Sequence, residues 1–313
     1  MKSLLAPRAA LLVALALTCL PASGQEPAFP GVPTKVVVSV EPRHGKKEVP
    51  NVRAEDVTVM QGKQRDKVSS WQRVDTPQVG AQVFILIDDG LSSSETGTKL
   101  NDIRDFINAQ SANVLIGVAY MRNGTAVVAQ NPTKDHGRTV KALRLTLGDP
   151  GASASPYFSL QDLLKRWPET NSAREVVMIT DGIDRFWDGA GLDDPYLNSA
   201  IEQAQRGSVV VNAIYARGEG HFGHSPWRIN WGQNYLSELA DATGGEAYYL
   251  ANDTPPSFQS YFKDLTERLS HQFVLTFEAQ PGKKSGFERI KLSTEVPNAE
   301  LVTQRQVYVA VGS

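Results

Sequence analysis

The chain has 313 residues, a formal net charge of −2, one cysteine and 41% apolar residues. That apolar fraction is enough for a real core and excludes wholesale disorder. The near-neutral balance argues against nucleic-acid binding, which calls for a basic surplus. A single cysteine excludes both a disulfide framework and a paired-cysteine zinc site.

Met1 to Gly24 has the layout of a secretory signal peptide. Lys2 and Arg8 supply the positive start, and Ala9 to Leu20 is an apolar run of 12 residues. That is short of the roughly 20 needed to span a bilayer. Pro21 breaks the run, and Ala22-Ser23-Gly24 offers small residues, so cleavage is expected before Gln25. Cleavage would remove Cys19 and two of the 32 basic residues but none of the 34 acidic ones, taking the net charge from −2 to −4. The expected product is exported, periplasmic or extracellular, without a transmembrane segment. Residues 25–33, rich in proline, are expected as a flexible leader.

Thr34 to Val40 is a β-branched run and predicts a strand, as do Val57 to Met60 and Val68 to Val74. These belong to an N-terminal β segment over 34–78. Val83 to Ile87 is apolar without alternation, which marks a strand buried on both faces, as in a parallel sheet covered by helices. Leu100, Ile103, Phe106 and Ile107 then share one helical face. Val114 to Met121 and Thr125 to Ala129 predict a hairpin across Asn123-Gly124. Val140 to Leu147 is expected to be helical, and Leu160, Leu163 and Leu164 predict a short helix. Val176 to Ile179 and Val209 to Tyr215 are further buried strands, separated by a helical stripe at Leu197, Ala200, Ile201 and Ala204. Leu236, Leu239 and Ala240 predict a helix stopped by Gly244-Gly245. Tyr248-Tyr249 reads as a short strand, and Phe258, Tyr261, Phe262, Leu265 and Leu269 as a last helix. The expectation for 79–270 is an α/β domain with a doubly wound, mostly parallel sheet.

The remainder, 271–313, reads as strands over Phe273 to Phe277, Phe287 to Leu292, Glu300 to Thr303 and Gln306 to Val311. Each flank alone is marginal as a folding unit. Together they offer about seven strands, in the range of a β-sandwich. The two flanks are therefore expected to pack together as a smaller β-domain, with the α/β domain inserted between them.

Sheets of this class hold ligands at the carboxyl ends of their strands. Two acids fall there. Asp88 ends the first buried strand, before Gly90, Ser92, Ser93 and Ser94, and Asp181 ends the second, before Gly182 and Asp184. Carboxylates and hydroxyls are hard donors suited to Mg²⁺ or Ca²⁺. The loop from Gly151 to Ser155 could add a hydroxyl. The alternative is that both acids hydrogen-bond backbone amides at the sheet edge.

Val83 to Ser94, Val176 to Gly182 and Leu236 to Gly245 resemble a von Willebrand factor A (VWA) domain. Val36 to Val59 and Leu269 to Tyr308 resemble the flanks of the VWA-related proteins best known from Acidobacteria. The resemblance implies a metal-ion-dependent adhesion site, a first loop Asp-x-Ser-x-Ser, a second-loop Thr and a third-loop Asp. Asp88, Ser92 and Asp181 match it. Gly90 stands where the first Ser belongs, and Ser155 or Ser153 is the nearest replacement for the absent Thr. In the family an acidic side chain of a protein partner completes the metal's shell. The expected set here is Asp88, Ser92, Ser155 and Asp181, with Mg²⁺ or Ca²⁺ as cofactor.

Two loops on the same edge, 183–194 and 217–232, carry Phe186, Trp187, Phe222, Trp227 and Trp231. Trp187, Trp227 and Trp231 are expected as a partner-contact rim, aromatics being enriched at interfaces; the alternative is a satellite core under the loops. His221 and His224 lack the helical zinc spacing and are expected at the surface. No nucleophile-His pair, Gly-x-Ser-x-Gly elbow or phosphate-cradling loop is present. The expected function is a secreted, non-enzymatic interaction module with a degenerate adhesion site. The alternatives are a metal-free envelope component and a Mg²⁺-dependent hydrolase using Asp88.

Overall fold

The computed structural model describes residues 31–311, apart from 44, 45, 47, 75, 77, 188–193, 219–224, 252 and 254. The expected signal peptide, the cleavage point, His221, Phe222 and His224 lie outside the described residues. The chain opens with β1 (Val32–Pro42), β2 (Val57–Gln61) and β3 (Gln64–Arg73). The middle runs β4 (Ala81–Asp88), α1 (Ser93–Ala109), β5 (Val114–Arg122), β6 (Thr125–Thr133), α2 (His136–Lys141), α3 (Pro156–Arg166), β7 (Ala173–Thr180), α4 (Pro195–Arg206), β8 (Val209–Tyr215), α5 (Pro226–Thr243), β9 (Ala247–Tyr248) and α6 (Gln259–Ser270). It closes with β10 (Gln272–Ala279), β11 (Gly286–Thr294), β12 (Ala299–Thr303) and β13 (Gln306–Val309).

The middle strands form one six-stranded sheet in the order β6-β5-β4-β7-β8-β9, parallel except for β6. The unbroken apolar run in β4 has a direct cause. Val83, Ile85 and Ile87 join one core with Leu100, Ile103 and Phe106 of α1 and Phe262 and Leu265 of α6. Phe84 and Leu86 join the opposite core with Leu160 and Leu163 of α3, Leu197 of α4 and Leu239 of α5. Burying each such side chain stabilises the fold by about 1.5–3 kcal/mol, so the strand with no polar face becomes the centre of the sheet. From β4 the chain builds outward through β5 and β6, then returns to place β7 on the other side of β4. The crevice between β4 and β7 is thus a topological switch point, where open α/β sheets take their ligands.

Strands from both ends of the chain form the second sheet, in the order β12-β1-β10-β3-β2-β11-β13 and antiparallel throughout. It is one sheet curled around a single core of Val36, Val38, Val40, Val59, Leu275 and Phe277, not the two facing sheets of a sandwich. A register shift at Thr276/Phe277 bends β10 between β1 and β3. Trp71 stacks on Phe273 at 4.4 Å and donates its indole N–H to the Val52 carbonyl. Strand alternation then joins the two sheets: Val37, between Val36 and Val38, belongs to the α/β core.

At that junction sits Glu175 of β7, fully buried. It accepts hydrogen bonds from Asn212 Nδ2 at 2.9 Å and from Gln272 Nε2 of β10. Burial pushes its carboxyl up to about 7.

Three local expectations need correction. Pairing with β10 reaches Val32↔Ala279, so β1 begins inside the segment expected as a leader. The helix expected over 140–147 is instead α2, capped by Asp135, which accepts from the Arg138 N–H. Beyond it the chain is pulled straight by tertiary bonds, Arg144 to Asp89 and the Thr146 hydroxyl to the Leu91 carbonyl. Finally, α5 starts at Pro226, so Trp227 and Trp231 stand on a helix and not in a loop; Pro at the first helical position is pre-organised for that start.

Because β1 is flanked by β10 and β12, ending the chain after Ser270 should strip it of both neighbours. Hydrogen exchange is expected to show β1 amides losing protection in that truncation; unchanged protection would contradict the pairing.

Candidate functional site

Asp88 ends β4 and is 3% exposed. Its Oδ1 accepts the Gly90 N–H at 2.7 Å, and its Oδ2 accepts the hydroxyl of Thr180, the last residue of β7, at 2.7 Å. Asp181 follows β7 directly, and its Oδ1 accepts the Ile183 N–H at 3.0 Å. The switch point therefore gathers two buried carboxylates. Burial, then the Asp181 charge, pushes Asp88 up to about 6, with Arg185 opposing.

Arg185 is the residue that completes this arrangement. Its Nη2 lies 2.5 Å from Asp181 Oδ2 and its Nη1 3.4 Å from Asp181 Oδ1. The two side chains are 9% and 3% exposed. Burial disfavours the guanidinium charge, but Asp181, Asp88 and Asp184 together outweigh it and hold the guanidinium charged. Gly218 closes over the pair: a Cβ there would stand 2.2 Å from Asp181 Oδ2 and 3.0 Å from Arg185 Nη2. Any larger residue there would push the pair aside.

The remaining expected ligands lie differently. Ser155 is the N-cap of α3: its oxygen accepts the Phe158 N–H at 3.2 Å and its hydroxyl donates to Asp184 at 2.7 Å. It shares a narrow cleft with Asp88, Ser159 and Arg185, with about 10 Å³ of space, room for about one water. Ser92 does not line that cleft; its hydroxyl pairs with that of Ser94 at 3.0 Å. Asp89 is fully buried and clasped by Arg144 at 2.6 and 2.8 Å, with the guanidinium 3.7 Å above the Tyr120 ring.

A divalent cation of the Mg²⁺ or Ca²⁺ kind needs about six or more oxygen ligands. Here both Asp181 oxygens face the Arg185 guanidinium, each Asp88 oxygen already accepts a hydrogen bond, the Ser155 oxygen accepts the Phe158 N–H, and Ser92 lies away from the cleft. Among the described residues no three His, Cys, Asp or Glu side chains are grouped to hold a metal. The residues as arranged do not fit a resident divalent cation.

The aromatic residues divide. Phe186, at 53% exposure, meets Phe158 and Tyr196 at ring distances of 5.4 and 5.7 Å, and Trp187 meets Tyr196 at 6.4 Å. Trp231 is partly buried against the α/β core, whereas Trp227, one turn earlier, is 73% exposed. A wider pattern appears around them. Among the described residues eight large apolar side chains stand exposed, and Leu145, Leu147, Phe186, Trp227, Tyr249 and Leu250 are six of them. All six lie on segments at the carboxyl edge of the six-stranded sheet. The loop bearing Leu145 and Leu147 is tied there by Asp149 N–H to the Asp89 carbonyl and Asn123 N–H to the Pro150 carbonyl.

No protein-family model matches the chain, and no match is found among curated proteins. Several solved structures are similar to it. An aerotolerance-related membrane protein from Bacteroides fragilis is 14% identical, with a TM-score of 0.42, over 61% of this chain and 98% of that one. The TFIIH p34 N-terminal domain is 12% identical, with a TM-score of 0.41, over 61% and 99%. The SpRpn10 VWA domain is 13% identical, with a TM-score of 0.37, over 59% and 94%. Among the described residues no helix is long and apolar enough to cross a membrane.

Arg185 and Thr180 were not singled out by the sequence as parts of the site. Arg185 stands four residues after Asp181, a spacing that on a helix would flag an ion pair; in a loop it carries no such warrant. Ser-Pro ahead of an apolar stripe is a helix-start signature, and Ser155 caps α3 accordingly.

Proposed function

We propose that the chain is an exported, non-enzymatic protein-interaction module with a doubly wound, VWA-like domain, and that its contact face is the carboxyl edge of the six-stranded sheet. The observation that carries this reading is that Leu145, Leu147, Phe186, Trp227, Tyr249 and Leu250, six of the eight exposed large apolar side chains among the described residues, stand on segments at that edge. Exposed apolar side chains scattered singly need no explanation, but a group of them on one edge marks a contact surface. Exposed aromatics are the side chains that anchor protein interfaces.

In this reading the acid pair is the keystone of the edge and does not itself meet the partner. Asp181 and Arg185 are both nearly buried, so recognition falls to the apolar rim and not to a metal-bound carboxylate. The hydrolase alternative would need an accessible nucleophile, whereas both Asp88 oxygens are engaged and the side chain is buried.

Photo-cross-linking in the exporting cell tests this. A photoreactive residue at Trp227 or Leu145 is expected to give a discrete protein adduct. The same residue at Ala112, in the loop entering β5 at the opposite edge, is expected to give none. Equal adducts from both edges, or none from either, would contradict the assignment of the contact face.

A further inference from the structure

The geometry points to a counter-cation already built into the chain: we infer that Arg185 supplies the positive charge that Asp181 faces at the switch point, so that a guanidinium and not a divalent ion holds this edge together. The inference concerns what holds the edge together and does not depend on what the edge contacts.

Three observations converge on it. Asp88 and Asp181, 3% and 2% exposed, stand at the ends of adjacent strands, away from bulk solvent. Two carboxylates at such a place are desolvated and repel, which raises Asp88 and favours a cation beside Asp181. Arg185 reaches back to Asp181 through both Nη atoms, a planar fork matched to a carboxylate in a way a lysine is not. The surroundings are shaped for a side chain and not for a hydrated ion. Gly218 gives up its Cβ to let the pair fit, and the neighbouring cleft has room for about one water.

Asp184 adds a further restraint. Its Oδ2 accepts the Ser155 hydroxyl and its Oδ1 accepts the Phe186 N–H at 2.7 Å. The turn that carries Arg185 is thereby pinned on both sides, and the Arg185 N–H donates to the Ala154 carbonyl at 3.0 Å. The guanidinium is presented to the acids by a fixed backbone.

The test combines thermal melting with calorimetric titration of Mn²⁺ and Mg²⁺ into the full mature chain. Wild type is expected to show no saturable binding up to millimolar metal and no change in Tm. Arg185→Met leaves two buried acids without a cation and is expected to lower Tm by about 10 °C, the shift a broken buried ion pair gives in a domain of this size. Mn²⁺ is expected to raise the Tm of that variant and leave wild type unmoved. Arg185→Lys keeps the charge and should lose only part of the stability. Should Arg185→Met not fold, the Asp181→Asn, Arg185→Met double variant, with one acid neutralised, is expected to fold and to ignore metal. Saturable Mn²⁺ binding by wild type that is lost in Asp181→Asn would overturn the inference. So would an Arg185→Met variant whose melting is unchanged, or is lowered yet indifferent to Mn²⁺.

Discussion

Raising the pH from 5 to 8 should cost the chain about 2–3 kcal/mol of folding free energy through Glu175 alone, and Glu175→Gln should remove that part of the loss. Burial in the junction between the sheets holds the Glu175 carboxyl up to about 7, against an ordinary value of 4.5. Between those two pH values the folded chain keeps a proton that the unfolded chain releases. Stability therefore falls as the pH rises through that window. Asp66 and Asp88, each pushed up to about 6, act with the same sign at lower pH, but they are common to wild type and variant. Glutamine keeps the hydrogen bonds in reach. Its oxygen can accept from Asn212, and its amide can donate to the Gln272 oxygen, which has no partner as placed, once that amide turns over. Urea unfolding at pH 5 and pH 8 checks this. The expected result is a shallower pH dependence for Glu175→Gln, with the variant the more stable chain at pH 8. Parallel curves for the two proteins would show that Glu175 is ionised without penalty.

The second large effect is expected at Gly232. Inside α5, alanine should stabilise a helix by about 1 kcal/mol over glycine. Here the contact outweighs the propensity, because a Cβ at Gly232 would stand 2.0 Å from the Asp181 carbonyl oxygen. Backbone is on the other side of that contact, so either α5 lifts from the sheet or the Asp181 segment shifts. Overpacking of this kind costs about 1–3 kcal/mol net, and Gly232→Ala is expected at the upper end. Gly286→Ala is the control, since a Cβ there meets nothing within 4 Å; its effect should stay within about 0.5 kcal/mol. Chemical denaturation of both variants decides the point. A Gly232→Ala chain as stable as wild type would mean that α5 does not press on Asp181 as described.

The same glycine illustrates how far the sequence could be read. Gly232 looked like the end of a loop, because glycine punctuates loops more often than it permits close packing. Its real reason is a contact with a segment some fifty residues away, which no local pattern carries. The central strands were legible for the opposite reason. Val83 to Ile87 and Val176 to Ile179 are apolar without alternation, and only a strand covered on both faces tolerates that. Asp88 and Asp181 were legible as residues of the switch point because they interrupt those runs at the carboxyl end. The guanidinium that pairs with Asp181 was not, since Arg185 sits among aromatics in a loop where i, i+4 spacing has no fixed geometry. In the flanks, β-branched runs announced strands but not partners, because strand pairing is a long-range choice. Thus β1 lies between β10 and β12, drawn from the far end of the chain, and the sheet curls as one layer around Val38 and Phe277. The helix expected over 140–147 failed because Arg144 and Thr146 are held by Asp89 and Leu91, and tertiary bonds override a short apolar periodicity.

At the switch point of the six-stranded sheet, the chain's own guanidinium takes the place a metal ion would hold. A crystal structure of the mature protein soaked in millimolar Mn²⁺, with an anomalous difference map at the manganese edge, tests this most directly. No anomalous peak is expected near Asp88 and Asp181, with both Nη atoms of Arg185 on the Asp181 carboxylate. A peak between the two acids, with Arg185 swung out toward solvent, would contradict it.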